Sequence, residues 1–541
     1  MRRLVLLTAL VLTVFSHAPS AQAQSFPLWG DLQPGAHAVG YRATIVPDRS
    51  RTFIPERNYE RKLYAGERSR PLLIQIFYPA RLQSNAVRMV YGDYLNLKGE
   101  TPAAALVAQG LRQRAQVIHD YYQGKYLQAY RDGLDERLAR VETAAVRDAP
   151  AALGRFPVVI YGGGAGFGPD ENVVLWEFLA SHGYVVAVVP MMGADGVSSA
   201  ADAVGLETHT RDLEFLFEQL HALPFADLGR AGAMGFSYGG QAALLMAMRN
   251  PDVKAVVGLD PSFIGAHYSR FLTSSPFYNV DKVTVPVLEL HRKDESTVTY
   301  EVTNALKYSE RYSFEIDGLN HVDFDNYALL YTAVLPEQVK RNSPVAARKA
   351  AYEAVSRYVL SFFDVYLKAE TSKRESLKKP AEWKGYPREA VSFRYTEALL
   401  APPSYADLLG IIREQGGARG EQIYREVLKR DPSARVISEP SINALGYELM
   451  DDGKIDEALR VLQLNAARFP RSANAYDSLA DAYKKRGDQA CVAYAYQRLL
   501  EVLPQDASLD ESARAALRRD VTEKLEKLRA ARVTGKCEIT K

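Results

Sequence analysis

Ala231-Gly-Ala-Met-Gly-Phe-Ser-Tyr-Gly-Gly240 is the stretch that decides how the rest of the chain reads. Small and apolar residues run into Gly235-Phe236-Ser237-Tyr238-Gly239, and the apolar run Gln241-Ala-Ala-Leu-Leu-Met-Ala-Met-Arg249 follows at helical spacing. The order is strand, sharp turn, helix, with a serine at the tip. A G-x-S-x-G turn in that setting lifts a serine hydroxyl above the carboxyl end of a parallel sheet. The flanking glycines let the neighbouring strand and the helix approach the backbone. The tip residue is expected in a strained conformation costing about 1–3 kcal/mol, enforced by the packing around it. Ser237 is the candidate nucleophile.

On both sides of this turn the chain alternates strand and helix. Residues 156–161 read as a buried strand that ends in Gly162-Gly-Gly-Ala-Gly-Phe-Gly168. A helix over 173–182, a strand over 183–190 and an amphipathic helix over 208–223 lead to the turn. Beyond it, strands over 253–259, 285–291 and 312–316 end at Asp260-Pro261, at Arg-Lys-Asp-Glu295 and at Asp-Gly-Leu-Asn-His321. A long helix over 346–369 closes the pattern. Continuous apolar strands, each followed by a helix, imply an α/β fold with a mostly parallel sheet covered on both faces. Residues 24–80 read as small antiparallel strands and turns, with 70–79 an early strand of the main sheet. Between the early strands, 81–150 is rich in Ala, Leu, Gln, Tyr and Arg. Its segments 101–111 and 112–147 show helical spacing, which predicts a helical insertion over the sheet.

A serine nucleophile needs a base, an orienting carboxylate and an oxyanion site. In this strand order the acid follows the serine and the histidine comes last. Only His267, His291 and His321 lie downstream of Ser237, and His321 follows the last predicted strand, where the base belongs. Asp260 ends the strand after the elbow helix, and Asp294 or Glu295 follows the next one. Both loops reach the same crevice, so position leaves the acid open. One oxyanion donor is expected from Tyr238, the residue after the nucleophile. The other is expected from the 162–168 loop, with Ala165 favoured and Gly164 next to it. That loop is not a phosphate cradle, since it has no G-x-G-x-x-G spacing and no G-K-[ST] follows.

From about Pro402 the pattern is helical throughout. Leu445-Gly446, Gly453, Ala458 and Pro470 recur 34 residues later as Leu479-Ala480, Gly487, Val492 and Pro504. Helix, turn, helix and proline at that period form the tetratricopeptide signature. Residues 424–432 resemble the end of a degenerate third copy, and 510–532 a terminal capping helix. A repeat stack is a natural platform for a protein partner. Cys491 and Cys537, the two cysteines of the chain, both fall in this part. They could pair in an oxidising compartment or remain free thiols, and they fit no metal motif.

The N-terminus reads as a secretory signal. Arg2-Arg3 precede an apolar run from 4 to 15, and Ala21-Gln22-Ala23 offers a cleavage site. The expected organisation is therefore a signal over 1–23, an α/β domain over 24–398 with its insertion at 81–150, and a repeat domain over 399–541. The expected location is secreted or periplasmic, with no transmembrane segment after removal of the signal. The whole chain carries 67 basic and 65 acidic side chains, and the signal removes two arginines, leaving no net charge. That balance gives no footing for nucleic acid.

Several stretches resemble the plasma-type platelet-activating factor acetylhydrolases, within the dienelactone-hydrolase-like α/β-hydrolases. They are Leu179-Ala-Ser-His-Gly-Tyr-Val-Val-Ala-Val-Val189, Gly235-Phe-Ser-Tyr-Gly-Gly240, Gly258-Leu-Asp260 and Asn320-His-Val-Asp-Phe324. Val39-Gly40 and 70–79 fit the start of that family. The likeness spans roughly 33–365, apart from the insertion. It implies Ser237, Asp260 and His321 as catalytic residues, with Asp294 second to Asp260. The family usually carries Ser-His-Gly in the oxyanion loop, where this chain has Gly162-Gly163-Gly164. The expectation is a serine hydrolase of small-molecule or lipid esters, short acyl or oxidised, needing no metal or organic cofactor. The alternatives are a tetratricopeptide interaction protein with a vestigial hydrolase domain, or an acyltransferase.

Overall fold

The computed structural model describes residues 26–53, 68–194, 200–293, 298–342, 344–378, 386–434, 438–531 and 537. The signal segment and the alternative acids Asp294 and Glu295 lie outside the described residues. The chain divides into two compact units, 1–398 and 399–541.

The first unit is built on a ten-stranded sheet in the order β10-β9-β8-β7-β6-β4-β5-β2-β1-β3. The strands are β1 (Ala38–Thr52), β2 (Ser69–Ala80), β3 (Ala145–Arg147), β4 (Phe156–Gly162), β5 (Val185–Val189), β6 (Ala226–Phe236), β7 (Val253–Leu259), β8 (Val287–Arg292), β9 (Arg311–Ile316) and β10 (Val391–Thr396). Strands β5, β4, β6, β7, β8 and β9 run parallel, and β1, β2 and β10 add antiparallel pairings at the flanks. The two-residue period of a strand sends alternate side chains to opposite faces. In β4, Val159 and Tyr161 join one core while Val158 and Ile160 join the other. In β7, Ala255, Val257 and Leu259 face the first core and Val256 the second. Both faces are thus covered by helices, which is why these strands are apolar throughout.

The early part is longer in strand than its sequence suggests, because β1 and β2 pair over almost their whole length. The insertion differs more. Its longest helix, Pro102–Tyr126, is capped by Thr101, whose hydroxyl accepts the Ala104 amide proton. Helical spacing is expected to run on to 147, but this helix ends at Tyr126, a short helix, Leu134–Ala139, starts after Gly133 at φ 64°, and Ala145–Arg147 pairs with β1 as a strand. Nor is β9 the last strand. Val391–Thr396 pairs antiparallel with it after the long helix Pro344–Leu367.

The second unit holds three successive helix pairs, Tyr405–Gln415 with Gly417–Arg430, Glu439–Asp451 with Ile455–Arg468, and Ala473–Arg486 with Gln489–Val502. The helix Glu511–Ala530 follows. Gly453 and Gly487 stand at φ 76° and 86° where the first helix of a pair ends, a conformation that carries no penalty for glycine. A Cβ at Gly446 would come within 2.5 Å of Leu462, so a bare backbone is what lets these helices approach closely. Cys491 and Cys537 form a disulfide that closes a span of 46 residues. On chain-entropy grounds Cys491→Ser should cost about 3–4 kcal/mol. Denaturant unfolding of the full chain, with and without reductant, measures it. Equal midpoints for the variant and the oxidised wild type would deny the bond a stabilising role.

Candidate active site

Ser237 sits at φ 53°, ψ −119°, at the junction of β6 and the helix Tyr238–Arg249. A non-glycine residue held there stores about 1–3 kcal/mol of strain, which its surroundings must enforce. The enforcement is visible in the backbone. The Ser237 amide donates to the Leu259 carbonyl at 2.9 Å, and the Ser262 amide donates back to the Ser237 carbonyl at 2.9 Å. Close packing does the rest. A Cβ at Gly239 would stand 1.9 Å from the Gly162 carbonyl oxygen, and one at Gly235 would stand 2.2 Å from the backbone of Gly239. Gly239→Ala should therefore push the helix off β4 and cost about 1–3 kcal/mol, read as a lowered Tm. An unchanged Tm would show that the elbow has slack.

Asp260 ends β7, also at positive φ (39°), and its amide donates to the Leu290 carbonyl at 2.7 Å. His321 opens the 3-10 turn His321–Phe324, which Asn320 and Asp323 cap reciprocally. Its ring stacks on Phe236, with centroids 4.7 Å apart.

These three side chains, 84 positions apart at the widest, meet above the carboxyl ends of the sheet. His321 Nε2 lies 2.7 Å from Ser237 Oγ, and His321 Nδ1 lies 2.5 Å from Asp260 Oδ2. A carboxylate only accepts, so Nδ1 carries the ring proton and Nε2 is left to accept from the serine hydroxyl. Burial opposes charge on Asp260, but the His321 hydrogen bond, the charge of that ring and the Arg292 guanidinium together hold its carboxyl below the usual range.

Arg292 was not singled out in the sequence. Its amide donates to Asp260 Oδ1 at 3.0 Å and its Nη1 donates to Oδ2. Nη1 also lies 3.2 Å from His321 Nδ1. Both atoms carry protons, so that contact is not a hydrogen bond; the two donors share one carboxylate oxygen. Ser262 was missed as well, and its hydroxyl lies 3.4 Å from that of Ser237. The other downstream histidines take no part. His267 is exposed, and buried His291 lies against the Arg292 carbonyl at 3.0 Å.

A cavity of 330 Å³ opens over Ser237. Ala165, Tyr238, Phe167, Ile264, Tyr268 and Val298 are among its walls. Both expected oxyanion donors, Ala165 and Tyr238, thus line the cavity that holds the nucleophile. Gly164, the other candidate, is committed elsewhere, since its amide donates to Glu171 Oε2 at 2.8 Å. The insertion helix comes close to the site from above. Lys125 Nζ donates to Asn320 Oδ1 at 3.1 Å, and the Asn320 side-chain amide donates to the Tyr126 hydroxyl at 2.7 Å.

Residues 174–304 match the prolyl oligopeptidase family. The matched segment contains Ser237 and Asp260 and stops short of His321. No curated protein matches the chain in sequence. Among solved structures, a ferulic acid esterase from Streptomyces cinnamoneus is similar at 20% identity, over 66% of this chain and 96% of that one, with a TM-score of 0.44.

Proposed function

We propose that this chain is a serine hydrolase of carboxylic esters. The observation that carries the reading is the unbroken relay from Ser237 Oγ through the His321 ring to Asp260. In the reaction, Nε2 takes the hydroxyl proton as Oγ adds to the acyl carbonyl. The Tyr238 and Ala165 amides receive the developing oxyanion, where one donor is worth about 10²–10³ in rate. The imidazolium then protonates the leaving alkoxide. Water attacks the acyl-enzyme with the same ring as base, and the acid and free serine are regenerated. The scheme calls on no metal and no organic cofactor.

Short acyl groups of the acetylhydrolase kind are the favoured substrates. A cavity of 330 Å³ supports this, being at the small end of ligand sites. A secreted or periplasmic location is part of the same reading, and the Cys491–Cys537 pair favours an oxidising compartment. The helix pairs beyond residue 398 serve in it as a tetratricopeptide-like platform for a protein partner. The family match favours a second reading, cleavage of peptide bonds by the same acyl chemistry.

Intact-protein mass spectrometry after mixing with 4-nitrophenyl esters of increasing chain length tests the first reading. A transient acyl adduct, strongest for acetate and butyrate and missing from Ser237→Ala, is expected. No adduct and no 4-nitrophenol from any ester, with release from peptidyl 4-nitroanilides instead, would move the assignment to peptides.

A further inference from the structure

We infer that Glu171 is a positioning residue of the proposed hydrolysis: its buried carboxyl fixes the 162–168 loop so that the Ala165 amide is presented to the Ser237 cavity. This rests on the reading of Ser237 given above. Glu171 is 1% exposed, unusual for a glutamate in a Pro-Asp-Glu-Asn turn. Its Oε2 accepts the Gly164 amide proton at 2.8 Å, and its Oε1 accepts the Tyr161 hydroxyl. The Tyr161 oxygen in turn accepts from the Asn172 side-chain amide at 2.8 Å, and Asn172 Oδ1 accepts from the Tyr352 hydroxyl at 2.8 Å. A chain of hydrogen bonds thus runs from the helix Pro344–Leu367 to the residue before Ala165.

The loop is gripped from other sides too. The Gly163 amide donates to the Val189 carbonyl at 3.1 Å. A Cβ on Gly164 would meet Phe236 at 2.8 Å and Phe167 at 3.0 Å, so the peptide is wedged between two rings and one carboxyl. With the Gly163 and Gly164 amides committed, Ala165 is the next residue of the run, and it lines the cavity.

The titratable groups facing Glu171 are Tyr161 on β4, the adjacent Asp170, Asp325 and Tyr327 beyond the His321 turn, and Tyr352 on the long helix. They are all acids or phenols. Burial pushes the Glu171 carboxyl up to about 8. Below that pH it is a neutral acid whose carbonyl oxygen can still accept the Gly164 proton. Above it, an anion sits behind the oxyanion loop and opposes charge building on the substrate oxygen.

The experiment compares wild type with Glu171→Leu and Glu171→Gln in the full chain. Glu171→Leu should lower kcat about 10- to 100-fold with KM within about threefold, as misplacing an oxyanion donor does. Glu171→Gln keeps an acceptor and should restore kcat to within about threefold of wild type at pH 7, while removing the fall in kcat near pH 8. Amide hydrogen exchange over 163–168 should quicken in the leucine variant and not in the glutamine variant. Wild-type kcat in the leucine variant, equal losses in both variants, or exchange that is the same in all three proteins would each overturn the assignment. A wild type inert on every ester would instead sink the hydrolase reading, and the exchange comparison would then decide the role of Glu171 by itself.

Discussion

Ser237→Ala should lose labelling by a fluorophosphonate probe completely and lose ester turnover by about 10⁶. The size follows from the geometry. With the Oγ gone, His321 Nε2 loses the hydroxyl that it accepts from at 2.7 Å. The neighbouring Ser262 hydroxyl is 3.4 Å from Ser237 Oγ, and it is not the atom hydrogen-bonded to the ring. Alanine also removes a side chain without altering the turn, because the φ of 53° is imposed by the ladder bonds on either side. The variant should therefore fold with a Tm close to wild type. Retained hydrolysis in a folded Ser237→Ala protein would end the nucleophile assignment. Labelling kept at full rate would mean that the probe reports another serine.

The second large effect is expected at Asp260. Asp260→Asn should lower kcat about 10⁴-fold, through the wrong tautomer rather than lost packing. An asparagine can turn its amide toward Nδ1 as a donor, and the ring proton then moves to Nε2, where it blocks acceptance from Ser237. Arg292 adds to the penalty. Its guanidinium now bonds the same carboxylate, and the amide takes that ion pair away. The stability effect has a definite sign. Because the folded-state carboxyl lies below its ordinary value of 3.8, its contribution is present above that pH and lost as pH falls through the lower folded value. The Tm gap between wild type and Asp260→Asn should therefore narrow as the solution is acidified below about pH 4. A gap that is constant from pH 7 to pH 3 would show that the charge of Asp260 does not support the fold.

Much of this arrangement is legible in the residues. Strand β7 was read over its actual length because Val253-Lys-Ala-Val-Val-Gly-Leu259 is apolar almost throughout and ends in a turn. Ser237 and His321 could be named from motif and order along the chain, and the structure brings them together. Strand β10 is not legible in the sequence, because Val391-Ser-Phe-Arg-Tyr-Thr396 alternates in character, stays half-exposed and follows the long helix that closes the strand-helix pattern. The helix expected to begin at 208 starts at Ala203, since Asp202 accepts the Gly205 amide proton at 2.7 Å and caps it earlier. Arg292 hid in Arg-Lys-Asp-Glu295, which resembles a solvated loop. Glu171 hid in a turn-forming tetrapeptide. Their roles come from which distant backbone and side-chain groups fold against them, and no local pattern encodes that.

The backbone ties around Ser237 and Asp260 separate two kinds of variation. Ser237 and Asp260 are tied by backbone bonds at the ends of the neighbouring strands β6 and β7, whereas Phe167, Ile264, Tyr268 and Val298 reach the cavity from beyond the strands. Mutational drift in those segments can reshape the chamber while the strand ends keep the reacting atoms in register. A descendant of this chain can thus acquire a different diet before it needs a different chemistry.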